Sequence, residues 1–137
     1  MKELHKILTD SISSDKGINV TIDRKIPKTT IGIHQSQTMI LYGIGKKDEM
    51  GFALCISVDN KSNKGKRIIE ELTMDEILKG FKTFDNKGST IFVADFKADV
   101  DLIVNKANEV LVRLTKFTPD IETKFNQYST NATYTLK

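Results

Sequence analysis

The chain has one cysteine, Cys55, so no disulfide can form within it. A lone thiol suits a reducing compartment, and a cytoplasmic location is the expectation. No apolar run approaches the roughly 20 residues that span a bilayer, so no membrane association is expected. The first residues, Met1-Lys2-Glu3-Leu4-His5, carry an acid and lead into a polar stretch, unlike a secretory signal. The two histidines, His5 and His34, stand alone, without the paired His or Cys/His spacing of a zinc site. No Gly-x-Ser-x-Gly nucleophile elbow is present. Internal repeats, low-complexity tracts and linkers are absent too, and no cofactor or metal is expected.

What is present reads as one domain, residues 1–137, with a tail at 125–137 that either frays or adds an edge strand at 132–136. The composition is 39% hydrophobic and 28% charged, as in a globular chain. A chain of this length buries enough surface to fold without staples. Leu4, Ile7, Leu8 and Ile12 share one helical face, and Ser13 to Gly17 stop that helix. From Ile18 the period changes to two. Ile18, Val20, Ile22 and Ile26 alternate with polar residues as a half-buried strand, which Pro27 ends. Residues 30–44 are a second β segment, one long strand or a hairpin turning at Gln35-Ser36-Gln37. Phe52, Leu54, Ile56 and Val58 mark a third strand. Residues 59–66 read as a polar loop and 67–71 as a short edge strand.

The second half reads as mainly helical. Thr73-Met74-Asp75-Glu76 has the capping-box pattern, with Met74, Ile77, Leu78 and Phe81 as the buried stripe of the helix it starts. Asp85-Asn86-Lys87-Gly88 is turn chemistry. Thr90 to Ala94 is a central strand. The longest helix runs from about Ala98 to Phe117, its apolar face formed by Val100, Ile103, Val104, Ala107, Leu111 and Leu114. Asp99 and Asp101 at its start and Arg113 and Lys116 at its end suit the helix dipole. The order is roughly α-β-β-β-(β)-α-β-α. The expected class is therefore α+β, an antiparallel sheet of about five to six strands with two to three helices packed on one face. Strict βα alternation is missing, which argues against a doubly wound nucleotide fold.

Several segments have the look of chemistry. Gly43-Ile44-Gly45-Lys46 lacks the longer loop, the following Ser/Thr and the helix of a P-loop, and reads as a strand end and turn. Asp59 to Gly65 has the spacing of a calcium loop, but lysines at its third and sixth places repel a cation. Gly51-Phe52-Ala53 and Ile91-Phe92-Val93 resemble fragments of the RNP1 and RNP2 motifs of the RNA-recognition fold. Here their order is reversed and Leu54 and Ser57 replace the stacking aromatics, so core strand residues are the reading. Cys55, flanked by Leu54 and Ile56, reads as a structural thiol. Asp95, between a buried strand and a helix, occupies a typical active-site position, though turn formation or helix capping accounts for it.

Charge is the strongest signal left. The net charge is only +3, but residues 24–67 hold nine Lys/Arg and three Asp/Glu, an excess of six, so the rest sums to −3. The cations fall in three turns: Arg24, Lys25 and Lys28; Lys46 and Lys47; and Lys61, Lys64, Lys66 and Arg67. Lysine-rich turns often serve only solubility. Three successive turns of one sign also fit a binding surface. If 30–44 is one strand, Arg24, Lys25, Lys28, Lys61, Lys64, Lys66 and Arg67 share one sheet end. The leading expectation is a small non-enzymatic binding domain whose partner is another protein, of the inhibitor, immunity or adaptor type. A nucleic-acid binder using the basic loops comes second, and a small-ligand site or enzyme built from scattered residues third. Self-association stays open.

Overall fold

Alternation decides which side of each strand enters the core, and it sorts this sheet into two unlike faces. The computed structural model describes residues 2–14, 18–23, 29–35, 42–44, 51–74, 76–117 and 124–129. Their order is α1 (Lys2–Ser14), β1 (Ile18–Asp23), β2 (Thr29–Gln35), β3 (Phe52–Asp59), α2 (Asn63–Met74), β4 (Lys82–Asn86), β5 (Ser89–Lys97), α3 (Val100–Leu114) and β6 (Lys124–Ser129). The strands form one antiparallel sheet in the order β4-β5-β3-β2-β1-β6. Val20, Ile31, Ile33, Phe52, Leu54, Ile56, Val58 and Phe92 point to one face, where they meet Leu4 and Leu8 of α1, Ile68 and Leu72 of α2, and the apolar stripe of α3. The class expected from sequence, an antiparallel sheet with helices on one face, is what forms. No described helix is long and apolar enough to cross a membrane.

The order of elements departs from the expected one around α2. Residues 63–71, expected as loop and edge strand, are helical. Gly65, Ile68, Ile69 and Leu72 recur at i, i+3, i+4 and i+7, a helical stripe that packs on the core. Ser62 starts it: its hydroxyl accepts the Gly65 amide at 3.0 Å, and its carbonyl accepts the Lys66 amide. The Asp59 carboxylate accepts the amides of Lys61 and Ser62 and fixes the approach.

Thr73 therefore closes a helix instead of opening one, and its hydroxyl donates to the carbonyls of Ile69 and Glu70. Glu76 takes φ 55°, which ends helical propagation, and turns follow to Gly80. Leu78 is buried and Ile77 and Phe81 half-buried from these turns, whereas Met74, expected in the buried stripe, is 76% exposed.

Asp85 and Asn86 belong to β4, and the turn tightens to Lys87-Gly88. Both have positive φ, 49° and 88°, the two-residue geometry that matches strand twist. β5 outruns the expected 90–94. Asp99 caps α3 through the Leu102 amide. β2 ends at Gln35, so the segment 30–44 is not one long strand, and its residues 36–41 lie outside the described ones. β6 forms at 124–129, within the expected tail, and pairs with β1; the strand expected at 132–136 lies outside the described residues.

Among the described residues no helix packs on the second face. Ala53, Ile91 and Val93 are buried there under Tyr42, Ile44, Cys55 and Phe84. The Tyr42 ring lies 5.3 Å from Phe84, and Lys82 Nζ donates to the Gly43 carbonyl. Residues 42–44, between β2 and β3 in the chain, thus lie at the β4 edge of the sheet.

Candidate interaction surface

Of the seven basic residues expected to bind, Lys61, Lys64, Lys66 and Arg67 are described and all are exposed. Arg24, Lys25 and Lys28 lie outside the described residues, as do Lys46 and Lys47. The strand ends that flank 24–28, Asp23 and Thr29, sit at the same sheet end as Asp59, because Thr29 pairs with Val58. Lys61 follows Asn60, whose amide donates to the Gly88 carbonyl at 2.9 Å, so this loop lies against the β4–β5 turn with its Lys87.

Lys64, Lys66 and Arg67 occupy the first turns of α2, where no acid is found. Cations at the positive end of a helix are unfavourable, by about 0.3–1 kcal/mol each when exposed. They also part company. Arg67 lies 5.9 Å from the ring centre of Phe117, just past the end of α3. Lys64, three residues back, is on the same flank, and Lys66 is turned about 100° away.

That flank opens a seam between two antiparallel helices. Glu71 of α2 meets Lys116 and, at 3.6 Å, Arg113 of α3. The hydrogen bond from Lys116, then the charges of Lys116 and Arg113, hold its carboxyl below the usual carboxylate range. Lys116 also approaches Phe117, 6.0 Å from its ring. Arg113 and Lys116 also line a groove of about 570 Å³, with Ile77 and Val112 in its wall and Asn108 and Glu109 on its rim. Glu109 is held by Lys106 at 2.8 Å. Met74, one turn past Glu71, continues along this flank. The large apolar side chains exposed among the described residues are Met74, Leu102 and Val112, at 76%, 51% and 60%. Val112 lines the groove, and Met74 ends α2 one turn beyond Glu71.

One cluster has the form of a hydrolytic triad that the sequence did not disclose. His5 Nε2 lies 2.9 Å from Asp101 Oδ1, and Thr9 Oγ1 lies 3.5 Å from His5 Nδ1. The Thr9 hydroxyl, however, donates to the His5 carbonyl at 2.8 Å, and His5 and Asp101 are 46% and 83% exposed. A nucleophile needs its proton directed at the base and water kept out. The cluster ties α1 to α3.

The other expected readings resolve by position. Phe52 and Phe92 face the helices, fully buried, so neither is available to stack on a base. Asp95 accepts the Lys97 amide within the last residues of β5, where the register with β3 shifts, and it caps no helix. Among the described residues no group of three His, Cys, Asp or Glu is placed to hold a metal.

Cys55 is half-buried on the second face, and burial pushes its thiol up to about 11. At neutral pH it stays protonated, whereas an unfolded thiol near 9.0 ionises more readily. Labelling by an iodoacetamide reagent is expected to be at least about tenfold slower in the native chain than in urea. Equal rates would place the thiol in an open, activating site.

His34 lies across Gly32 on the same face, where a side chain at position 32 would have to displace its ring. Burial lowers its imidazole below 6.5. The unfolded chain then takes up the proton first as pH falls, so stability is full above 6.5 and declines below it. His34→Gln is expected to flatten the melting temperature between that value and the carboxylate range below 4.5. An unchanged profile would assign the decline to other groups.

Neither a family model, nor a curated protein, nor a solved structure matches this chain.

Proposed function

We propose that this is a non-enzymatic binding domain that acts by docking on another protein, as an inhibitor or adaptor does, in a reducing, cytoplasmic setting. The observation that carries the reading is the exposure of Val112 in the α2–α3 groove and of Met74 at the end of α2. Large apolar side chains grouped at a groove with a charged rim are what protein partners bury. Folding leaves them outside although the core below is closed with aliphatic residues. A polar residue at either place would serve an unpartnered surface better.

The test is capture of partners from the native host on the immobilised chain, with and without nuclease. A nuclease-resistant protein complex that is lost with Met74→Ser plus Val112→Ser supports docking. A complex indifferent to both substitutions contradicts it.

A second reading, nucleic-acid binding, is favoured by the exposure of Lys61, Lys64, Lys66 and Arg67 around the start of α2. Phosphate contacts make affinity fall steeply with salt. Replacing these four residues by serine would then weaken oligonucleotide binding and reduce its salt slope. Unchanged affinity at two salt concentrations leaves these residues the role of solubility.

A further inference from the structure

We infer that the α2–α3 seam takes an acidic, apolar segment of a partner protein, with its apolar anchors on Met74, Ile77 and Val112 and its carboxylates on Lys64, Arg67 and Lys116. The inference rests on the docking reading and names the chemistry of the partner. Its basis is the order of charge along the seam. At one end Arg113 and Lys116 engage Glu71, and Arg67 shares the Phe117 ring with Lys116. With Lys64 and Glu70, each three residues from Arg67 on α2, four cations stand against two acids, an excess of two. At the other end Ile77 and Val112 line the groove beside Arg113 and Lys116, and the carboxylate on the rim, Glu109, is bound to Lys106. Phe117 lies under both Arg67 and Lys116 and fixes their heads at the surface.

The two ends are about 10 Å apart, from the seven residues between Arg67 and Met74 at ~1.5 Å each. Two turns of an amphipathic helix span that distance, the usual scale for a helix laid in a groove. A nucleic acid would satisfy the cations but gain nothing from Met74, Ile77 and Val112. A second copy of this chain fits no better. Pairing two seams about a twofold axis lays cations on an apolar wall or on cations, and the carboxylates it brings, Glu71 and Glu109, are already bound to Arg113, Lys116 and Lys106. An acidic segment would also be drawn to the basic end before it seats, which speeds encounter.

The experiment selects displayed random peptides of about twelve residues, roughly three helical turns, on the full chain. Enriched sequences are then measured as free labelled peptides by fluorescence anisotropy at two salt concentrations. Expected are peptides that combine aliphatic or aromatic residues with Asp and Glu. Val112→Glu, at an exposed position that leaves the melting curve in place, should weaken them by about tenfold or more. Arg67→Glu with Lys116→Glu should weaken them too and flatten the salt dependence. Peptides that bind regardless of Val112 overturn the groove and leave the docking reading standing. Enrichment of Lys and Arg overturns the acidic assignment. Failure to enrich any peptide, or displacement of the peptides by a mixed-sequence oligonucleotide at equal concentration, overturns both.

Discussion

Leu111→Ala is expected to remove about 2–5 kcal/mol of stability, the range for a buried leucine truncated in a packed core. Leu111 is fully buried in the middle of the α3 stripe, with Ile103, Val104, Ala107, Val110 and Leu114. α3 touches α1, α2, β3 and β5, so a cavity beneath Leu111 opens where all the layers meet. Alanine is the better helix former, so helix propensity cannot be the cause of a loss. Val112→Ala provides the control one residue away. Val112 is 60% exposed, and its truncation should move stability by no more than about 0.5 kcal/mol. Urea unfolding of both variants measures the difference. Equal midpoints would mean that α3 is not the centre of the core.

Gly65→Ala is expected to destabilise by about 1–3 kcal/mol, against the ordinary gain of about 0.5–1 kcal/mol when alanine replaces a helical glycine. A methyl group at Gly65 would run into the backbone carbonyl of Asp59, the last residue of β3, with no flexible side chain to give way. Asp59 is itself held by its carboxylate bonds to Lys61 and Ser62. To admit the methyl, α2 must lift from the sheet and loosen Ile68 and Leu72. Gly65 thus sets the height at which α2 lies, and with it the seam to α3. Thermal melts compare this variant with the parent chain. A raised or unchanged melting temperature would mean that the β3–α2 junction yields without cost.

The sequence made legible those elements whose pattern is decided locally. α1, β1, β3 and α3 each repeat apolar residues at one period over two or more turns or pleats, β5 shows as the unbroken apolar run Ile91-Phe92-Val93, and the acid at position 99 marks the start of α3. α2 was hidden because Asn63-Lys64-Gly65-Lys66-Arg67 has the composition of a loop. Its helical stripe holds only two isoleucines and a leucine, and burial of Gly65 is invisible until a carbonyl is placed against it. Thr73 and Glu76 imitate the start of a helix by spacing alone. β4 has one apolar residue, Phe84, and exists because the Lys87-Gly88 turn folds it back on β5. β6 likewise is made by pairing with β1.

The candidate site was legible only in part. Lys64 and Arg67 stood out by charge. Their neighbours Phe117 and Lys116 lie about fifty residues away and join them only when α2 and α3 pack. Met74 was read as core because the helix it was assigned to starts about three turns too late. Its exposure follows once α2 ends at Met74 and the chain turns at Glu76.

The claim that this surface docks a protein is tested most directly at Met74. With methionine methyl groups labelled for NMR, addition of the captured, nuclease-resistant partner should shift or broaden the Met74 signal in proportion to complex formed. Val112→Glu should abolish that change. A complex that forms while the Met74 methyl stays where it was would contradict the account.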